Sequence, residues 1–232
     1  MEHQLIFDLD NTLLDFSATE ARGLTQVFKD YNIPDTPAVR QRYEEINSAL
    51  WAQLERGEIS RSDIMTSRFA TLLQELHRST EPAQAIEHEY RECLNHGYER
   101  VHGAKTLLTQ LQAAGYTIIA GTNGNSATQR ARLKQSHLAP FFKGTYISEE
   151  IGYDKPAPQF FDAIFAAEPE LDKHDTIMIG DGINSDIRGG VNYGLETIWV
   201  NLHNQANQSE LHPSFEVQSL QELGQLLLPQ SA

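Results

Sequence analysis

The chain has 232 residues, with 18 lysines and arginines against 32 aspartates and glutamates, for a formal charge of -14. Such a balance disfavours nucleic acid and anionic membranes as partners, but leaves a small phosphorylated molecule open, because a bound cation reverses the local field. Hydrophobic residues make up 40% of the sequence, enough for one large domain or a core with an insert.

Residues 4 to 7 read as a buried strand that ends in Asp8 and Asp10. From about Phe16 to Tyr98 no strand-like run occurs and helix formers dominate. One helix is predicted from Ala38 to about Arg56, stopped by Gly57. Another is capped by Ser60 and runs towards His77, and a third opens at Glu81-Pro82 and ends near His96.

After residue 100 the texture changes. Val101, Ala104, Leu107, Leu108 and Leu111 repeat at helical spacing up to Gly115. Strands are then predicted at Tyr116–Ala120, Thr145–Ile147, Thr176–Ile179 and Thr197–Val200. Between them, helices are expected at Ser126–His137, around Phe160–Phe165, and at Asn184–Tyr193. Residues 203–214 read as polar loop, and Leu220–Leu228 as a last helix. Alternation of this kind specifies an α/β fold, a parallel sheet covered on both faces. The helical stretch is then an insert over the carboxyl ends of the strands, where open α/β sheets bind ligands.

Cys93 is the only cysteine, so no intrachain disulfide forms and a reducing, cytoplasmic setting is expected. Cys93 itself reads as a small buried hydrophobe. No run approaches the roughly 18 consecutive apolar residues of a membrane span. Met1 to Gln4 carry no basic region or cleavage-like site, so no targeting peptide is expected.

Four motifs fall at strand ends. Asp8-Leu9-Asp10-Asn11-Thr12 places two carboxylates at the mouth of a buried strand. Burying charge costs several kcal/mol or more without a partner, and a hard cation such as Mg²⁺ is the partner that carboxylates bridge to a substrate phosphate. Gly121-Thr122-Asn123-Gly124 precedes a helix, where backbone N–H groups favour an anion. Asp154-Lys155-Pro156-Ala157-Pro158 offers a lysine in an extended loop. Gly180-Asp181-Gly182-Ile183-Asn184-Ser185-Asp186 adds two more acids. Taken singly, each of the last three also reads as an ordinary turn or solvated loop.

In their order, spacing and strand positions the four motifs resemble the haloacid-dehalogenase superfamily of phosphotransferases. Within it the chain is similar to the bacterial pyrimidine 5'-nucleotidase branch, through Leu50-Trp51, Ile147-Ser148-Glu149-Glu150-Ile151-Gly152 and Gly180 to Gly194. The resemblance implies a Rossmann-like catalytic core, residues 1–15 and 99–232, and a helical cap, residues 16–98. It implies a Mg²⁺-dependent phosphomonoesterase acting on nucleoside 5'-monophosphates, with Asp8 as nucleophile and Asp10 as general acid and then base. By the same resemblance Mg²⁺ is held by Asp8, the main-chain carbonyl of Asp10, Asp181 and Asp186. Thr122 and the Asn123 amide, with Gly124, bind the phosphoryl group, and Lys155 pairs with Asp8. The family pattern commonly has glycine where Asn11 stands, and asparagine tolerates the same tight backbone. A monomer or weak homodimer is expected.

Other readings are weaker. Asp8, Asp10 and Thr12 look like the start of a calcium loop, but Leu13 and Thr19 stand where glycine and glutamate belong. The nine histidines have no metal-ligand spacing. Arg130, Arg132 and Lys134 read as a solvated basic face. Trp51 is a candidate to stack on a substrate base, or equally a packing residue; Phe16 and Arg68 read as packing. A sugar-phosphate phosphatase, a phosphomutase or a non-catalytic binding module would use the same fold.

Overall fold

A computed structural model describes residues 4–228; the expectation about Met1 to His3 lies outside them. In chain order the elements are β1 (Gln4–Phe7), α1 (Phe16–Asp30), α2 (Pro37–Glu55), α3 (Arg61–Glu75), α4 (Ala83–Asn95), α5 (Ala104–Ala113), β2 (Thr117–Thr122), α6 (Ser126–Gln135), β3 (Gly144–Ile147), α7 (Ser148–Ile151), α8 (Pro158–Ala167), β4 (Thr176–Gly180), α9 (Arg188–Tyr193), β5 (Glu196–Val200), β6 (Phe215–Val217) and α10 (Leu220–Leu227). They form two compact units, residues 1–16 with 98–232, and residues 17–97.

The first unit is a parallel sheet of six strands in the order β3-β2-β1-β4-β5-β6. β1 is central, with Phe7 in register with Ala120 on one side and Ile179 on the other. Its four residues are all buried because the sheet is covered on both faces. Alternate side chains serve opposite layers. Leu5 and Phe7 pack with Leu107, Leu108 and Leu111 of α5 and Leu220 and Leu223 of α10, whereas Ile6 packs with Phe160, Phe161 and Ile164 of α8.

The second unit is helical. Thr36 caps α2 with Pro37 in the first turn, and Ser60 and Asp63 form a reciprocal capping box on α3. α3 packs against both α2 and α4. Its interior holds Phe28, Tyr43, Ile46, Phe69, Leu72, Ile86 and Tyr90, and also a buried ion pair, Arg68 with Glu87, joined by two bonds of 2.7 Å. Arg68 also lies 4.6 Å above the Tyr90 ring, so its charge is met on several sides. Cys93 on α4 is half-buried rather than fully buried, and burial raises its thiol pKa.

The expected boundaries move in several places, and β2 runs on through Thr122 past its expected end at Ala120. Pro82 caps α4 instead of opening it, and Val101 precedes α5, which begins at Ala104. The helix expected at Asn184–Tyr193 is divided: Ile183–Ile187 form a wider π turn and α9 follows. β6 follows the expected polar loop as a sixth strand; only Val217 of its three residues is buried, so it carries almost no hydrophobic signature.

Candidate active site

β2, β1 and β4 are neighbours, and their carboxyl ends bring three of the four motifs together. The Asp8 amide donates to the Ile179 carbonyl at 2.8 Å, prolonging the β1–β4 ladder by one residue, just before the chain turns to Asp10. Asn11 turns it with φ of 56°, a left-handed conformation that asparagine adopts more readily than most residues. β4 ends at Gly180 and delivers Asp181, whose carbonyl accepts the Trp199 indole N–H at 2.9 Å.

Asp186 comes from the π turn, in which the Asp186 and Ile187 amides both donate to the Gly182 carbonyl. Single π turns of this kind recur at functional sites. The turn directs Asp186 back over β4: a Cβ on Gly180 would lie 2.1 Å from Asp186 Oδ2, so only glycine leaves room. One carboxylate oxygen each of Asp8, Asp181 and Asp186 lies within 4.8 Å of the others.

Lys155 faces this cluster and is fully buried. Its Nζ stands 2.7 Å from Asp8 Oδ1, 2.6 Å from Asp186 Oδ1 and 2.7 Å from the Gly121 carbonyl. Burial by itself lowers the lysine pKa, and Asp186 and Asp8 more than reverse that, holding it above its ordinary value. Two of the three carboxylates therefore share one ammonium. Burial first, then the neighbouring Asp186 and Asp10 carboxylates, push Asp8 up to about 7 despite the opposing Lys155. Asp181 keeps a partly exposed edge, yet burial followed by repulsion from Asp8, Asp186 and Asp10 drives it well above the usual carboxylate range. A divalent cation is the group this donor set fits: hard oxygens in surplus negative charge, clustered at one point. No histidine joins the cluster among the described residues.

The side of the site nearer β2 departs from the sequence expectation once. The Asn123 side chain ties down the Lys155 loop: its Nδ2 donates to the Lys155 carbonyl and its Oδ1 accepts from the Lys155 amide, both at 2.8 Å. That side chain thus fixes the lysine. The Gly124 N–H donates to Ser148 Oγ at 3.3 Å, and a Cβ on Gly124 would come within 2.8 Å of the Gln129 side chain.

Arg132 is the departure. Arg130 and Lys134 are exposed as expected, but Arg132 is fully buried and pairs with Asp10. Gln129, one helical turn earlier, donates to Asp10 Oδ2 at 2.7 Å and to Thr122 Oγ1 at 2.8 Å. The spacing Gln129, Arg132, Leu133 was the available signal: it marks one inward face of α6, which the basic run concealed.

Trp51 belongs to the helical unit, half-buried on α2 with the Arg61 guanidinium 5.8 Å from its ring. A cavity of about 30 Å³ lined by Asn11, Asp181, Trp199, Asn201 and His203 adjoins the acidic cluster. A larger one, about 1030 Å³, lies between α5 and α10 and contains none of the motif residues, so the site is defined by its charges rather than by volume.

A strand-edge nucleophile candidate, a lysine that neutralises it and a cation-ready triad of acids define a hydrolase site on a parallel α/β sheet. The chain belongs to the haloacid dehalogenase-like hydrolases, whose family model matches residues 4–194. It is similar to the HAD-hydrolase YfnB of Bacillus subtilis, 38% identical over 96% of this chain and 94% of that one. The crystal structure of YfnB bound to magnesium superposes with a TM-score of 0.90, covering 97% of this chain and 98% of that one. It is also similar to the pyrimidine 5'-nucleotidase PynA of Streptococcus pneumoniae, 37% identical over 94% of this chain and 92% of that one. A third relative, the pyrimidine 5'-nucleotidase YjjG of Escherichia coli, is 33% identical over 96% of each. The chain is a phosphoric monoester hydrolase. No helix among the described residues is long and apolar enough to cross a membrane.

Proposed function

We propose that the chain is a Mg²⁺-dependent, cytoplasmic 5'-nucleotidase that hydrolyses nucleoside monophosphates, pyrimidine ones first, through a phosphorylated Asp8. The observation that carries this reading is the Asp8 carboxylate set 2.7 Å from the Lys155 ammonium, with Asp181 and Asp186 within reach of one shared ion. The relatives PynA and YjjG, named as pyrimidine 5'-nucleotidases, support the substrate class.

Asp8, Asp181, Asp186 and the main-chain carbonyl of Asp10 would hold the Mg²⁺. When bound, the ion neutralises the acidic cluster and screens the phosphoryl oxygens so that an anion can approach an anion. Asp8 attacks phosphorus and the P–O bond to the nucleoside breaks, leaving the phosphoryl group on the carboxylate. Asp10 in its protonated form delivers a proton to the leaving oxygen; as the carboxylate that Arg132 pairs with, it then takes one from the water that hydrolyses the acyl-phosphate. The Thr122 hydroxyl accepts from Gln129, so its own proton is left to donate to a phosphoryl oxygen. Lys155, desolvated and fixed by Asn123, holds positive charge against the transferring group. The helical unit, residues 17–97, would serve as a cap that selects the leaving group, with Trp51 as its candidate for recognising the base.

The test is phosphate release with Mg²⁺ from nucleotides, sugar phosphates and pyridoxal phosphate, together with Asp8→Asn. Uridine and thymidine monophosphates are expected to be the better substrates, and Asp8→Asn to abolish turnover. No release from any ester overturns the reading; preference for sugar phosphates overturns the substrate class.

A further inference from the structure

Helix α6 carries two fully buried polar side chains that back the catalytic residues without touching the substrate in the proposed scheme. Gln129 and Arg132 are three residues apart and therefore share one face. Their exposures are 1% and 0%, against 26% for the side chain of Asp10. An arginine buried this completely needs an anion. The anion provided is Asp10, with the Phe16 ring lying 5.2 Å from the guanidinium carbon.

Both carboxylate oxygens of Asp10 are engaged from this one helix. Arg132 Nη1 donates to Oδ1, and Gln129 Nε2 donates to Oδ2. The second N–H of the Gln129 amide goes to Thr122 Oγ1, and its Oε1 accepts from Arg132 Nη1 at 3.2 Å. Gln129 is thus the common tie between Asp10 on the loop after β1 and Thr122 at the end of β2. Gly124 is shaped to it, since any Cβ there would strike the Gln129 side chain.

We propose that Gln129 and Arg132 are positioning residues that lock the Asp10 carboxyl and the Thr122 hydroxyl into one unit, so that proton delivery and phosphoryl anchoring share a single support. The inference rests on the reading of Asp10 as the acid and base. A carboxyl with two fixed donors has its orientation set before substrate arrives. Without them it rotates freely, and an acid that must meet the leaving oxygen at hydrogen-bond distance loses that geometry.

The experiment compares Gln129→Met, Arg132→Met, Arg132→Lys and Asp10→Asn on two esters with Mg²⁺. Uridine 5'-monophosphate has an alkoxide leaving group that needs a proton, whereas p-nitrophenyl phosphate does not. Gln129→Met and Arg132→Met are expected to lower kcat for the nucleotide by about 10- to 100-fold, part of the usual worth of general acid catalysis. The pre-steady-state release of p-nitrophenolate is expected to slow by less than about threefold, since that step uses no proton from Asp10. Gln129→Met alone is also expected to raise KM, through the loosened Thr122. Arg132→Lys keeps the buried charge without the planar fork, recovers part of kcat, and stands in if the methionine variant fails to fold. The proposal is overturned if folded variants keep wild-type kcat, or if both esters lose the same factor at the first step. Should Asp10→Asn itself stay active, the reading of Asp10 fails instead, which the same plate of assays distinguishes.

Discussion

Replacing Lys155 by methionine removes the ammonium that pairs with Asp8 and Asp186 in the acidic cluster. The ammonium sits between Asp8 at 2.7 Å and Asp186 at 2.6 Å, fully buried, and methionine fills a similar volume without charge. Removing one partner of a buried ion pair costs about 3–5 kcal/mol, because the remaining charge is left uncompensated. In a chain of this size each kcal/mol lowers Tm by about 2–4 °C, so the expected fall is about 6–20 °C in metal-free buffer. Mg²⁺ bound by the same carboxylates would recover part of the loss; at about 100 times Kd a ligand returns about 2.7 kcal/mol. Activity is a separate readout, and the variant is expected to lose about 100- to 1000-fold in kcat even when refilled with metal, the usual worth of one preorganised electrostatic contact. Thermal unfolding in EDTA and across a Mg²⁺ titration measures the first two effects. A Tm within 2 °C of wild type in EDTA refutes the argument that this lysine holds the cluster together.

The pH dependence follows from Asp8, whose carboxyl is raised from its ordinary range to about 7. A carboxyl raised on folding supports the fold below about pH 4 and withdraws that support as pH climbs to about 7, so the metal-free protein loses this contribution across that window. The Tm gain from Mg²⁺ is therefore expected to be larger at pH 8 than at pH 6, and equal gains would contradict the assignment. Gly180→Ala drives a Cβ to 2.1 Å from Asp186 Oδ2; displacement of that carboxylate is expected to weaken Mg²⁺ affinity at least tenfold, read by isothermal titration. In the helical unit, Glu87→Gln strands the buried Arg68 and is expected to cost about 3–5 kcal/mol by urea unfolding, whereas Arg68→Met with Glu87→Leu together cost far less. A double variant as unstable as the single one would show that the pair itself, not the orphaned charge, matters.

Much of the sheet was legible because buried parallel strands are short apolar runs. Leu5-Ile6-Phe7 and Ile177-Met178-Ile179 announce themselves, and the acids that follow them had to converge once the strands were neighbours. Asn11 could be read as a tolerated left-handed turn residue for the same local reason. What stayed hidden depended on tertiary facing. Arg132 looked like its exposed neighbours Arg130 and Lys134 because a run of like charges suggests water, whereas a helix alternates its faces every one or two residues. The Asn123 side chain gave no sign that it ties down a loop more than thirty residues away in sequence. β6 has one buried residue and joins the sheet only because β5 presents an open edge to it.

β1 stands at the middle of the sheet although it comes first in chain order among the described strands. Leu5 pairs with Ile118 on one flank and Ile177 on the other, so both neighbours follow it by more than a hundred residues. Asp8 is consequently synthesised well before it is enclosed, since its cage needs Lys155, Asp181 and Asp186. The helical excursion of residues 17–97 is an independently compact body and is available to fold in the interval. Assembly of the acidic centre thereby waits for β4: a product ending before it lacks one wall of the slot that β1 fills.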